Sequence, residues 1–322
     1  MKGIDTSKTP RSSVDLRDIR DTPGPHSMSF DFDLEAMVES IRAIGLINEP
    51  YVVRNRDGEV LVVAGYRRIK ALKALGWERA PCRDLTGTGL SEFECLLLNF
   101  RDNLATRQFN DVEKGMILKR LLKHLGESTV IRDYMPLLGL RPRGTILNKY
   151  IALEDVDLRI RQALVRGKIS FQMAGALSEM EAATASLVLK WVSELRLSFS
   201  YQLQFMEYLR DISSREGLEI GDVLESLAET IQGAKRNNPQ KVKRLFDHLR
   251  ARRYPELCRA EQRFRRAIIE LALPEGVRVS HPPYFEGPQF TMEISFRDGM
   301  DLKRKIGELY GLEGIDRIGE PW

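Results

Sequence analysis

Residues 62–77 read VVAGYRRIKALKALGW, and this stretch constrains the fold more than any other. The apolar run Val62-Val63-Ala64 stops at Gly65, two arginines follow, and Ile69, Leu72 and Leu75 then recur at helical spacing. The pattern is a strand that passes through a glycine turn straight into an amphipathic helix. Arg67 and Arg68 stand on the first turn of that helix, where the helix dipole disfavours positive charge. A turn with two solvated arginines satisfies the pattern. A strongly anionic ligand held there also accounts for the charges, because free N–H groups at a helix start and arginine forks both suit phosphate oxygens.

Upstream, DLEAMVESIRAIG (33–45) has Leu34, Met37, Val38, Ile41 and Ile44 on one helical face, with Gly45 ending the helix. PYVVRNRDGEVLVVAG (50–65) reads as strand, Asp57-Gly58 turn and strand, and RAPCRDL (79–85) as a further short strand. Residues 29–90 are thus expected to form a small α/β domain. Residues 1–28 are polar, with Pro10, Pro23 and Pro25, and are expected to be a mobile arm. From Ser91 to about Ala272 the pattern is helical, punctuated by glycines and prolines, and short helices in 110–178 suit helix-turn-helix packing. We divide this stretch into a helical domain (91–232) and a basic helical segment (233–272). Residues 273–322 read as a ββα unit, expected to dock on the helices or to pair with a second copy.

An apolar fraction of 43% with 30% charged residues describes an ordinary globular chain. No apolar run approaches the length of a membrane helix, so no membrane association is expected. Three scattered cysteines, Cys82, Cys95 and Cys258, fit a reducing cytoplasm and neither a disulfide framework nor a zinc site. The net charge of +4 is unevenly placed: Lys235 to Arg266 carries 12 Lys/Arg against three acids. In KVKRLFDHLRARRYPELCRAEQRFRRA (241–267), Val242, Leu245, Phe246 and Leu249 interleave with cations. This predicts a helix with one buried and one cationic face, interrupted near Pro255. Lys241, Lys243, Arg244, Arg250, Arg252 and Arg253 are its candidate phosphate contacts.

Four segments in order carry a resemblance: SFDFDLEAMVESIRAIGLINEPYVV, AGYRRIKA, RDNLATRQFNDVEKG and RGKISFQMAGAL. Together they resemble the ParB-type partition proteins, whose N-terminal domain shares its fold with sulfiredoxin. The fold implied is α+β: a ParB/sulfiredoxin-like α/β N-domain, an all-helical helix-turn-helix domain and a small ββα C-terminal unit. The resemblance implies that Gly65, Arg67 and Arg68 cradle the triphosphate of CTP, with Tyr66 at the family's glutamate position. It places the nucleobase near Gly45 and Pro50, and a Mg²⁺ at Asp102 and Asn103, a carboxylate and an amide oxygen of the kind Mg²⁺ accepts. Asn103 and Glu113 keep the family's ten-residue spacing. The motif arginine then falls on Thr106, and Arg107, one place and about 100° of helical rotation later, is the candidate nucleotide contact in its stead, together with Asn103.

The helix-turn-helix is expected at 128–153, its recognition helix starting near Gly144 and showing Thr145, Asn148 and Lys149 to DNA, with Arg141 and Arg143 near phosphates. The family's GHARAL reads QMAGAL here (172–177), without its His and Arg. The leading expectation is a cytoplasmic, nucleoid-associated DNA-binding protein, a CTP-dependent homodimeric clamp acting in chromosome or plasmid partition, alongside a partition ATPase. Any nucleotide hydrolysis is expected to be slow, since no general base is obvious. Two alternatives stand beside it: a phosphotransferase for small molecules on the same fold, with Glu49 as its acid, and an adaptor whose sites have decayed.

Overall fold

A computed structural model describes Thr6, residues 9–231, 238–287, 289–315 and Ile318. The chain forms two compact units, Met1–Ser193 and Glu194–Trp322. The expected boundaries at 90/91 and 272/273 fall inside these units, and that at 232/233 lies outside the described residues.

In the first unit, β1 (Arg11–Asp15), β2 (Tyr51–Arg54), β3 (Val60–Ala64) and β4 (Arg79–Asp84) form one sheet in the order β1-β4-β2-β3. The β1–β4 and β2–β3 pairs are antiparallel and β2–β4 is parallel. The Asp57-Gly58 turn closes the β2–β3 hairpin, with Asn55 Oδ1 accepting the Asp57 and Glu59 N–H groups. α1 (Glu35–Ile44) and α2 (Tyr66–Ala74) share a core with the sheet built on Val14, Ile41, Val52, Val62, Ile69, Leu72 and Cys82. α3 (Glu92–Thr106) lies against β3, where buried Asn99 donates to the Val63 carbonyl at 2.5 Å and Cys95 packs with Val63 and Leu85. Sheet and helices therefore share side chains across residue 90.

The reading of 1–28 as a mobile arm is corrected. Residues 1–5 and 7–8 lie outside the described residues, but Arg11–Asp15 is an edge strand and Val14, Leu16 and Ile19 are buried in the sheet core. Met28 is buried among the helices instead. A polar five-residue edge strand with one core-facing valine leaves little trace in hydropathy.

α4 (Asp111–Leu121) crosses α6 (Gly144–Ala152) after a short helix α5 (Glu127–Thr129), a π-helical turn (Val130–Tyr134) and a 3₁₀ turn begun by Pro136. α7 (Leu158–Val165), α8 (Phe171–Ser178) and α9 (Ala182–Glu194) follow. The α4/α6 crossing is close because Gly115 carries no side chain: a Cβ there would lie 2.3 Å from the Tyr150 carbonyl oxygen. In the second unit, α10 (Phe199–Glu216), α11 (Ile220–Ile231) and α12 (Asn238–Arg253) associate. α13 (Pro255–Glu270) starts with Pro255 at a position where its missing N–H costs nothing. β5 (Val277–Ser280), β6 (Thr291–Ile294) and α14 (Gly299–Tyr310) complete the ββα unit. It docks on α13 through Phe285 and Phe290 against Phe264, while Met300 and Tyr310 stay exposed.

Gly115→Ala is expected to lower stability by about 1–3 kcal/mol, because backbone rather than a pliable side chain must yield. Urea unfolding checks this, with Gly126→Ala, where a Cβ meets nothing within 4 Å, as the control.

Candidate functional site

Gly65 joins β3 to α2 at φ +89°, a left-handed conformation natural to glycine, and a Cβ there would lie 3.1 Å from Pro50 Cα and Cβ. Pro50 is buried behind the turn. Gly45 caps α1 at φ +79°, its N–H donating to the Ile41 carbonyl. The first N–H groups of α2 lack carbonyl partners one turn back, as at any helix start.

The turn brings together Arg67, Arg68, Asp102, Asn103 and Arg107, and joins them to a residue that sequence reasoning used only to mark register, Glu113. Glu113 is the third residue of α4 and wholly buried. It forms a capping box with Asn110, its Oε2 accepting the Asn110 N–H at 3.1 Å while Asn110 Oδ1 accepts the Glu113 N–H at 2.9 Å. Oε1 also accepts Arg67 Nη2 at 2.7 Å and the Phe30 N–H at 3.1 Å, and Oε2 accepts Arg107 Nη1 at 2.5 Å. One carboxylate thus ties α2, the end of α3, the start of α4 and the strap at 28–30. The Asn-x-x-Glu spacing of 110–113 is its visible sequence signal.

Arg107 reaches this cluster because α3 ends at Thr106. Arg107 is extended (φ −155°, ψ 167°), so the rotation of about 100° per helical residue does not govern it. Its Nε donates to Asn103 Oδ1 at 2.7 Å and its Nη2 to the Met28 carbonyl at 2.7 Å. Arg67 lies over the Phe32 ring at 4.7 Å. Burial, then the like charge of Arg107, lowers the Arg67 guanidinium from its ordinary range, against the pull of Glu113. Arg67 Nε is buried and bonds to nothing. Arg68 donates to the carbonyls of Asn48 (3.1 Å) and Glu49 (3.4 Å) and approaches Asp102 Oδ2 at 3.5 Å.

Two expected roles do not fit this geometry. Tyr66 does not face the phosphate turn: it is buried, its hydroxyl donates to the Asp21 carbonyl, and Phe32 packs edge-on against it. The amide oxygen of Asn103, expected on Mg²⁺, already accepts from Arg107, while its Nδ2 donates to Asn99. Asp102 remains half-exposed, its side chain meeting, among the described residues, only Arg68 at 3.5 Å. No group of three or more metal-ligating side chains occurs among the described residues.

Thr145, Asn148 and Lys149 are all exposed on α6, and Arg141 and Arg143 are exposed in the turn before it. Leu147 anchors the helix from its other side, in a core with Val130, Tyr134, Met135 and Leu138. On α12, Lys243 and Arg244 are exposed and Lys241 is half-buried. The other three predicted contacts, Arg250, Arg252 and Arg253, are engaged in ion pairs within the unit. Arg250 forms a bidentate pair with Glu261 at 2.6 and 2.7 Å, which raises its pKa. Arg252 pairs with Glu216 at 2.5 Å, holding that carboxyl below its usual range. Arg253 contacts Glu207 and Asp211 and lies over the Tyr208 and Tyr254 rings.

The phosphotransferase alternative loses its acid: Glu49 pairs with Arg83 at 2.7 Å and Arg11 at 3.1 Å. Cys82 and Cys95 are buried with thiols pushed up to about 12 and about 11, so neither is a ready nucleophile.

A small mixed sheet thus feeds a Gly-Tyr-Arg-Arg turn into a helical region, an α+β architecture. Residues 4–87, about a quarter of the chain, match the model of the ParB N-terminal domain. The nucleoid occlusion protein of Halalkalibacterium halodurans is 30% identical over 163 residues, 49% of this chain and 53% of that protein. The probable plasmid-partitioning protein ParB of Thermus thermophilus is 35% identical over 127 residues, 39% of this chain and 40% of that protein. This chain therefore spans about half the length, or less, of these relatives. A C-terminally truncated chromosome-partitioning protein ParB from Caulobacter crescentus, complexed with CTP-γ-S, is 20% identical at a TM-score of 0.27, covering 57% of this chain and 98% of that one. The same protein complexed to the centromeric parS site gives 16% identity and a TM-score of 0.32, over 61% and 98%.

Glu113→Ala is expected to destabilise the protein by about 3–5 kcal/mol, because it leaves two half-buried arginines without a counter-charge. Arg68→Ala, whose main partners are carbonyls, is expected to cost about 1 kcal/mol. Denaturant unfolding of both variants checks the contrast.

Proposed function

We propose that this chain is a DNA-binding partition-type protein whose N-terminal unit takes a nucleoside triphosphate, CTP by family resemblance, at the Gly65–Arg68 turn. The observation that carries the reading is the buried, unpartnered Nε of Arg67 beside Arg68 and a helix start: a hydrogen-bond donor already desolvated and lacking an acceptor. A phosphate oxygen would satisfy it, and Arg68 could exchange its neutral carbonyl partners for phosphate at little cost. Asp102 and phosphate oxygens would hold the Mg²⁺, which keeps most of its waters and serves to neutralise phosphate charge.

The names of the curated relatives, nucleoid occlusion and chromosome- or plasmid-partitioning proteins, support DNA as the partner. Arg141 and Arg143 suit phosphates, and Thr145, Asn148 and Lys149 suit base edges and backbone. A homodimer closing around DNA, a nucleoid location and a partition ATPase as partner belong to the same reading. Among the described residues no helix is long and apolar enough to cross a membrane. Hydrolysis belongs to it only as a slow reaction, since Glu49 and Glu113 are both held in ion pairs.

Equilibrium binding of radiolabelled CTP, ATP and GTP with Mg²⁺, with and without DNA, tests the proposal. Arg68→Ala is expected to weaken CTP binding by about a hundredfold, the order of losing charge-assisted bonds to phosphate. CTP binding indifferent to the substitution would sink the reading. On DNA, Lys149→Ala is expected to lower the slope of log K against log salt by about one, while Asn148→Ala leaves the slope and relaxes sequence preference.

A further inference from the structure

A second cavity lies in the first unit, apart from the Gly65–Arg68 turn. It has a volume of about 510 Å³ and opens between the strap at 19–26, strand β3, the start of α3 and the end of α4. Strand β3 ends the sheet, so the strap passes it without pairing, and Leu61 with Val60 and Val62 forms an apolar wall. The size suits a bound small molecule, since ligand clefts run to roughly 300–1,000 Å³.

Its polar groups are not neutralised by the protein. Arg120 is half-buried and donates to the Ser27 carbonyl at 2.5 Å and, more weakly, to that of Gly24 at 3.4 Å. No carboxylate lies within ion-pair distance of it among the described residues, and burial lowers its pKa. Lys123, one turn on, is exposed at the cavity and also without an ion pair among the described residues. His26 lines the cavity at 4% exposure, and its ring nitrogens make no hydrogen bond among the described residues. Burial lowers its pKa against the pull of Glu92. His124 lies on the same wall, its ring 5.4 Å from that of Phe93. On the acidic side, Glu59 is paired with Arg20, which leaves Glu92 against Arg120 and Lys123. Arg120 thus has carbonyl partners but no ion pair, and the His26 ring has no hydrogen bond among the described residues, so both can take an anionic acceptor.

We infer that this cavity binds a small organic anion, an apolar body bearing a carboxylate or a phosphate ester, with the anionic group at Arg120, Lys123 and His26. The site is independent of the nucleotide site, because Arg67 and Arg68 do not line it.

The chain has four histidines, so ¹H–¹³C spectra of their rings resolve the question. The full chain is titrated with benzoate, phenyl phosphate and inorganic phosphate, with His26→Asn and His124→Gln assigning the signals. The expected result is saturable movement of His26 and His124 with benzoate or phenyl phosphate, while His248 and His281, in the other unit, stay still. The stronger of those two probes identifies the anionic group. Lys123→Glu, at an exposed position, should weaken the binding about tenfold, and Arg68→Ala should leave it unchanged. Static His26 and His124 signals, movement of all four histidines alike, or inorganic phosphate binding as tightly as phenyl phosphate would each overturn the assignment.

Discussion

The first unit turns on one buried carboxylate. Glu113 carries a full charge at a position with no exposure, which is tolerable only because four donors surround it: Arg67, Arg107 and the N–H groups of Phe30 and Asn110. These donors come from α2, the end of α3, the strap and the start of α4. Removing any one segment would leave a charge or a dipole unmatched inside the protein. The sheet and the helical region are therefore held in one unit by electrostatics as well as by the apolar cluster around Phe100, Ile117 and Leu147.

That arrangement changes what the arginine turn means. In the sequence, Arg67 and Arg68 look equivalent, two cations awaiting an anion. In the fold they differ. Arg67 is a structural cation already paired with Glu113, with its buried Nε left unpartnered. Arg68 rests on backbone carbonyls and on a long contact to Asp102, so it is the one free to change partners. A phosphate arriving at the turn would engage Arg68 first and then pull on an arginine bound to α4. The buried carboxylate thus joins the arginine turn to the start of α4.

The strong local patterns were legible: the hairpin, the glycine turn, the start of α6 at Gly144 and the break before Pro255. Each rests on chemistry within a few residues. What failed to show depends on partners distant in sequence. β1 pairs with β4, Ser13 opposite Pro81 some 68 residues away, and offers hydropathy only Val14. Tyr66 occupies a position that alignment assigns to the phosphates, yet its ring finds a pocket by Phe32 and its hydroxyl finds Asp21. Arg107 looked displaced because helix geometry was extended one residue too far. The chain leaves the helix at Thr106, and the extended backbone swings the guanidinium back over Asn103.

The basic segment shows the same limit from the side of charge. Counting along the sequence makes 241–267 a strongly cationic block, but charge is neutralised in space. Glu207, Asp211 and Glu216 on α10 lie opposite Arg252 and Arg253, and Glu261 on α13 takes Arg250. These arginines join α10, α12 and α13 as salt-bridged rivets, with Arg253 further held between two tyrosine rings. The unpaired charge on α12 is then carried by residues such as Lys243 and Arg244 that are exposed to solvent. A helix can be rich in arginine because it must be glued to acidic neighbours, and only the exposed remainder counts toward the release of counterions from DNA.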